Sequence, residues 1–221
     1  MPKIGAWLEK TGRAMYTRHA QNLGCTNGWN TGLVMTEKDK APWVGFMNND
    51  AAIMPGAIER MLQVGESGYA FVCAKDFKIE SKLAETSFDP SVAISSLDDK
   101  EIVLREGFLS TFFIVRRDLI DALGGFDGSL RHTYGDMDFM VRADRLGFKP
   151  VIVENALVYH GTSVSAKRLG VDAAVSMYMR DTNSFKDKWK DTGLQGWAMW
   201  AILDRADLES KINETWKDGE Q

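Results

Sequence analysis

An α/β fold with at least some parallel sheet is what this sequence predicts, and three observations predict it. Apolar runs of strand length recur, at Trp43 to Met47, Tyr69 to Ala74 and Ser110 to Arg116. Stretches with helical spacing lie between and after them, and several end in glycine, as at Gly124-Gly125 and Gly147. The first two runs are joined by a polar turn and a helix, and strand, turn, helix, strand is the rhythm of an α/β unit.

The elements follow in order. Arg13 to His19 reads as a short strand, and Asn22-Leu23-Gly24 turns the chain. Asn27 to Thr36 reads as a helix of small and apolar residues. The strand Trp43 to Met47 stops abruptly at Asn48-Asn49-Asp50. Pro55-Gly56 opens a helix with Ile58, Met61, Leu62 and Gly65 on one side. Tyr69 to Ala74 is the next strand, and the polar stretch 76–100 reads as a loop or insertion of the kind that forms lids. Ser110 to Arg116 is a strand and Arg117 to Leu123 a short helix. Asp136 to Leu146 is helical, Val151 to Tyr159 extended, and Val171 to Trp189 helical. A last amphipathic helix is expected from Gly196 to Trp216, with Trp197, Trp200 and Leu203 on its apolar side. The division expected is a main domain over 1–190 and a helical extension over 191–221.

Composition narrows the function. Of 221 residues, 44% are hydrophobic and 26% charged, which suits a folded domain and not a disordered one. The net charge of -4 with no dense basic block argues against nucleic acid as a partner. It leaves room for one nucleotide, whose diphosphate a metal ion and backbone N–H groups can hold. Cys25 and Cys73 lack metal-site spacing and read as reduced packing residues. No apolar leader opens the sequence, and no apolar run reaches the roughly 18–20 residues that span a bilayer. The expectation is a cytoplasmic chain, with peripheral membrane contact and self-association left open.

Certain polar residues stand where chemistry is expected. Ligands of α/β sheets bind at the carboxyl ends of strands, which is where Asn48, Asn49 and Asp50 fall. Asp50 suits a Mg²⁺ or Mn²⁺ ion that bridges a diphosphate, or else it caps a turn. Asp136 and Asp138 sit in a first helical turn, where the dipole favours negative charge. One of them could equally serve as a general base, given a raised pKa. His160 ends an extended run and is either a metal or phosphate contact or a structural histidine. His132, close to the acidic pair, could line an acceptor. Gly124 to Asp127 is a helix stop, or a place where the backbone approaches a sugar closely.

Taken in order, these segments resemble glycosyltransferase family 2. Gln21-Asn22-Leu23-Gly24 with Asn27 and Asn30-Thr31-Gly32 resembles its "NLG…N.G" segment. WVGFMNND, Trp43 to Asp50, resembles its strand ending in a DXD-like "LNND". Thr111 to Asp127 resembles the strand and "GGFD" element beside the acceptor, and Tyr134 to Arg142 is similar to "EDxDxxxR". Val158-Tyr159-His160 with Ser163 and Ser165 resembles the late "v.H..s.S" segment, and Phe185 to Trp189 the "F..KW" ending. The match runs from about Arg18 to Trp189, and the subtype resembled is the inverting, rhamnosyltransferase-like group.

That resemblance implies a GT-A-like fold with a mixed, mostly parallel sheet flanked by helices. It implies a UDP-, GDP- or dTDP-linked sugar donor, Mn²⁺ or Mg²⁺, and transfer with inversion to a carbohydrate or other hydroxyl acceptor. Asp136 becomes the general base, and Asp50 and His160 the metal contacts. Asn22, Asn30, Asn48 and Asn49 join Asp50 on the donor side. Gly125, Phe126, Asp127, His132 and Asp138 become acceptor or supporting residues. Gly135 stands where the family often has Glu. The family also opens with a strand, helix and strand that hold the base, whereas about a dozen residues precede Arg13 here. The sheet is therefore expected to be shortened at its N-terminus, in a fragment, a compact variant or a chain completed by another copy. The alternative to catalysis is a GT-A-derived binding or structural module.

Overall fold

The structure, a computed structural model, describes residues 10–12, 14–77, 101–160 and 170–190. Of the loop expected over 76–100, Asp76 and Phe77 instead end a strand, and residues 78–100 lie outside the described residues, as do the Ser163 and Ser165 motif positions, the extension 191–221 and its helix. Elements run in the order α1 (Cys25–Thr36), β1 (Trp43–Met47), β2 (Ala51–Ile53), α2 (Ala57–Glu66), β3 (Phe71–Phe77), β4 (Leu104–Glu106), β5 (Phe112–Arg116), α3 (Arg117–Leu123), α4 (Gly135–Arg145), β6 (Val151–His160) and α5 (Val171–Trp189). A 3-10 turn, Glu37–Asp39, follows α1.

Six strands form one sheet in the order β1-β5-β3-β6-β2, with β4 also on β6. The sheet is mixed, as expected, but its parallel share is smaller than expected. Only β3 and β6 run parallel among the described strands. The reason is that β5 runs back between β1 and β3 and is antiparallel to both. The short strands β2 and β4 are antiparallel to β6 as well. Of the strand expected over Arg13 to His19, the described residues 14–19 carry no regular structure. Most of their side chains are exposed, so apolar burial does not hold them in a ladder.

Side chains of a strand alternate between faces, and both faces of this sheet are covered. Phe71, Cys73, Phe113 and Val115 enter one core with Leu119 of α3, Phe139 of α4 and Phe185 of α5. Val72, Ala74, Phe112 and Ile114 enter the other with Ala57, Met61 and Val64 of α2. Burial on both faces explains why β3 and β5 read as continuous apolar runs. The buried face of α2 is turned from the expected one: Met61 and Gly65 are buried, whereas Ile58 is 41% exposed. Gly65 faces the Trp43 indole so closely that a Cβ there would lie 2.5 Å from the ring.

A register shift in the β3–β6 pair shapes the site. Ala74 faces Val153, but Lys75 faces Leu157, so three residues of β6 bulge out. Beyond the bulge Asp76 faces Val158 and Phe77 faces Tyr159. His160, two residues past Val158, therefore emerges on the same face as Asp76. On the other side of β6, Ala51 of β2 faces His160, which puts Asp50 just beyond it. The ladder of β1 and β5 continues past its end, as the Asn48 N–H donates to the Thr111 carbonyl at 2.9 Å. Asn48, Asp50, Asp76, Thr111 and His160 are thus carried to one end of the sheet by backbone pairing alone.

Candidate functional site

At that end, His160 is the hub. Its Nε2 lies 3.4 Å from Asp50 Oδ1 and 3.4 Å from Asn48 Nδ2. Its Nδ1 lies 3.0 Å from Thr111 Oγ1, and that hydroxyl donates to Asp76 Oδ2 at 2.8 Å. The other oxygen of Asp76, Oδ1, is buried without a hydrogen-bond partner among the described residues. Asn48, Asp50 and His160, singled out in the sequence on separate grounds, come together here. Asn49 is exposed beside them.

Asp136 joins this site through the residue before Thr111. It opens α4, and its carboxyl is hydrogen-bonded with Ser110 and with the Met137 N–H. Burial raises its pKa above the ordinary carboxylate value, with those hydrogen bonds opposing the shift. Ser110 and Thr111 are consecutive, so one strand end carries a partner for Asp136 and a partner for His160. Cys25 feels both halves of the site. Crowding around its thiol, then the charges of Asp136 and Asp50, push it up to about 11. Cys73, fully buried in β3, is pushed up to about 12, chiefly by burial. Both are free thiols, as expected, and neither is a thiolate nucleophile near neutral pH.

The chain holds Asp136 in place from two sides. Tyr134, the N-cap of α4, has φ 61°, a left-handed conformation that costs a non-glycine residue about 1 kcal/mol or more. Its ring stacks on Phe185 at 5.2 Å, and its hydroxyl meets Thr182 Oγ1 at 3.2 Å. Asp181, also on α5 and fully buried, accepts the N–H groups of His132 and Thr133 at 2.6 and 3.0 Å. Gly135, where the family often has Glu, packs on α1. A Cβ at this position would lie 2.2 Å from Thr26 Oγ1. The missing carboxylate is therefore matched by Thr26 filling its space.

The remaining residues from the sequence are engaged as braces. Asn30 donates to the Phe126 carbonyl and accepts its N–H, both at 2.9 Å, so its amide is occupied by the chain itself. Asn22 accepts the Gly24 N–H at 2.9 Å, and its carbonyl accepts from Arg131. Gly125, with φ 82°, sits against Asn30, and a Cβ would approach its Oδ1 to 3.0 Å. Phe126 is core, 4.9 Å from Phe46 and 4.5 Å from Phe139 between ring centroids. Asp127 pairs with Lys188 of α5 at 2.6 Å. Asp138 is fully buried and accepts from Arg142, Trp189 and Lys188. His132 is anchored through its backbone to Asp181, and burial lowers its pKa. Asp76 and Thr111 are the site residues that sequence reasoning missed as such. Asp76 lies next to the end of a strand that is expected to stop at Ala74 but runs on to Phe77, and the β6 bulge sets it opposite Val158.

Comparison with known proteins adds the following. The model of the family described as "Glycosyl transferase family 2" matches residues 4–124. Among curated proteins, none matches the sequence. Among solved structures, the chain is similar to a mannosyltransferase from Pyrobaculum calidifontis in complex with GDP-Man and Mn²⁺, at TM-score 0.51 and 12% identity. That similarity covers 98% of this chain and 74% of the other. It is also similar to GalNAc-T7 with UDP, GalNAc and Mn²⁺, at TM-score 0.52 and 12% identity. There it covers 99% of this chain but only 48% of that protein, about half its length. Similarity at this identity speaks for the GT-A fold alone.

Proposed function

The chain belongs to glycosyl transferase family 2 and its fold is GT-A; from that premise we propose that it is a glycosyltransferase that moves a sugar from a nucleoside-diphosphate donor to an acceptor hydroxyl with inversion. The observation that carries this reading is the meeting of Asp50 and His160 at 3.4 Å, with His160 in contact with Thr111, whose neighbour Ser110 hydrogen-bonds Asp136.

The donor set suits a divalent cation. An imidazole nitrogen and a carboxylate oxygen converge, and the buried, unpartnered Asp76 Oδ1 beside them leaves negative charge for a cation to offset. Among the described residues no group of three or more His, Cys, Asp or Glu is placed to hold a metal ion by itself. Two protein ligands with the rest supplied by substrate phosphate is the usual arrangement for Mg²⁺ and suits Mn²⁺ too. In this proposal Asp50 and His160 hold Mn²⁺ or Mg²⁺. Bound there, the ion would neutralise charge on the leaving diphosphate.

The residues of the chain do the rest. Asp136 accepts the proton of the acceptor hydroxyl as its oxygen forms a bond to the anomeric carbon. The bond from that carbon to the diphosphate oxygen breaks on the opposite face, so configuration inverts. The nucleoside diphosphate leaves with the bonding electron pair, and Asp136 ends protonated. Its raised pKa makes it a better base than a free carboxylate. Asn48 steadies His160, and Ser110 holds the Asp136 carboxyl. Residues 1–190 form the transfer domain in this reading, with 191–221 an appendage.

Transfer and donor-hydrolysis assays with UDP-, GDP- and dTDP-sugars and Mn²⁺ test the proposal. Turnover with at least one donor is expected, and Asp136→Asn lowers it by about 10²- to 10⁴-fold. Full activity in Asp136→Asn would remove Asp136 from the role of base.

A further inference from the structure

His160 can offer Nε2 to a cation only if its ring proton sits on Nδ1. We propose that Asp76 and Thr111 are positioning residues that fix this tautomer: Asp76 orients the Thr111 hydroxyl, and the hydroxyl holds the Nδ1 proton of His160.

The direction of each hydrogen bond follows from what the groups can do. An ionised carboxylate only accepts, so in the 2.8 Å contact Thr111 Oγ1 must donate to Asp76 Oδ2. The hydroxyl has one hydrogen. Having given it to Asp76, Thr111 Oγ1 can only accept in its 3.0 Å contact with His160 Nδ1. Nδ1 therefore carries a proton. On the far side of the ring, Asn48 Nδ2 is a donor 3.4 Å from Nε2, a partner suited to a lone pair. Asp50 Oδ1, also 3.4 Å from Nε2, is an acceptor and cannot donate to that lone pair, so a cation between the two atoms would relieve the contact.

The relay is built into the fold. Thr111 is 2% exposed, so its hydroxyl has little water to turn toward. Its backbone is fixed by the Asn48 N–H. Asp76 reaches it because the β6 bulge sets Asp76 opposite Val158, one same-face position from His160. Direct contact between Asp76 and the ring is longer, 3.9 Å from Nδ1, so the hydroxyl is the intermediary. This inference rests on the proposed cation role of His160, although the tautomer itself is measurable without any cation.

The test is two-bond ¹H–¹⁵N correlation of the histidine rings in the metal-free full chain. Across a pH series, the spectra in which the rings are neutral reveal the tautomer of each. Only three histidines are present, and loss of one signal in His160→Gln assigns it. Wild type and Thr111→Ser are expected to show the Nδ1–H form. Thr111→Val removes the acceptor, and Asp76→Ala frees the hydroxyl to donate to Nδ1, so both should shift His160 toward Nε2–H. Mn²⁺ affinity, read by electron paramagnetic resonance, should fall about 10–100-fold in those two variants and be kept by Thr111→Ser. An Nε2–H ring in wild type, or an unchanged tautomer in both Thr111→Val and Asp76→Ala, overturns the relay. If the tautomers behave as expected but wild type does not bind Mn²⁺, the relay stands and the cation reading fails.

Discussion

A carboxylate that must take a proton works best when its surroundings raise its pKa, and burial does this for Asp136. The sign of the kinetic consequence is fixed. A base acts in its ionised form, so a raised pKa moves the acid limb of kcat/KM above the ordinary aspartate value of about 3.9. The Ser110 hydrogen bond opposes that shift. Ser110→Ala is therefore expected to move the acid limb to still higher pH while leaving the alkaline side in place. A pH profile of kcat/KM for the two proteins checks this, and a limb that stays put or moves down contradicts it. Asp136→Asn should lose about 10²- to 10⁴-fold in kcat on the plateau above the acid limb. At this scale the sequence showed the charged residues and hid their company. Asp50, Asp136 and His160 stood out by position, but Asp76 and Thr111 acquire meaning only through pairings some 35 to 49 residues away along the chain. Conversely Asn30, Phe126 and Asp138 sit in readable motifs, yet hydrogen bonds and burial commit them to holding α1, α4 and α5 together.

Between elements, the contact of α1 with α4 is a tight constraint near the site. Gly135→Ala would drive a Cβ to 2.2 Å from Thr26 Oγ1, and overpacking of this kind costs about 1–3 kcal/mol. Thr26→Ala removes the two nearest atoms and leaves only the Thr26 Cβ, 3.1 Å away. The double variant should therefore recover most of the loss, a coupling that urea unfolding of the four proteins would measure. Additive losses would mean that Thr26 is not what excludes a side chain at 135. A second link ties α5 to the turn before α4. Burial lifts the Asp127 carboxyl, but hydrogen bonds from Lys188 and Ser129 outweigh it and hold the pKa at about 2. A depressed pKa stabilises the fold above the unfolded value of about 3.9 and loses that contribution as pH falls through about 2. Asp127→Asn should then cost on the order of 1–2 kcal/mol at neutral pH, after allowance for solvent screening, and converge with wild type near pH 2 in acid melts followed by circular dichroism. Helices were the legible part of this layer. Arg117–Leu123 and Val171–Trp189 have the bounds that periodicity gives, because glycine stops and apolar spacing are local signals. The antiparallel course of β5, the short β2 and β4 and the bulge in β6 are not local. They depend on which strand lies alongside, and neither alternation nor composition encodes a neighbour.

For the molecule as a whole, the question is whether the site binds a donor as one unit. Both faces of the sheet are packed, and the strand ends that bear Asn48, Asp76, Thr111 and His160 are joined by ladder hydrogen bonds. A site carried on paired strands is preorganised, so ligand binding should register as stability of the entire fold. A ligand that binds only the native state at 100 times its Kd adds about 2.7 kcal/mol. For a chain of this size that corresponds to a rise in Tm on the order of 5–10 °C. UDP, GDP and dTDP, each with and without Mn²⁺, should separate clearly: one nucleotide raises Tm, and only with the metal. Asp50→Asn should erase the metal-dependent part while leaving the unliganded Tm within a degree or two, because Asp50 is a partly exposed residue at a strand end. The same comparison decides between transfer and a binding or structural module that has lost donor recognition. A module of that kind shows no metal-dependent shift with any nucleotide. A shift in wild type that Asp50→Asn leaves untouched would instead locate the diphosphate away from Asp50 and His160, and the proposed arrangement of the site would have to be given up.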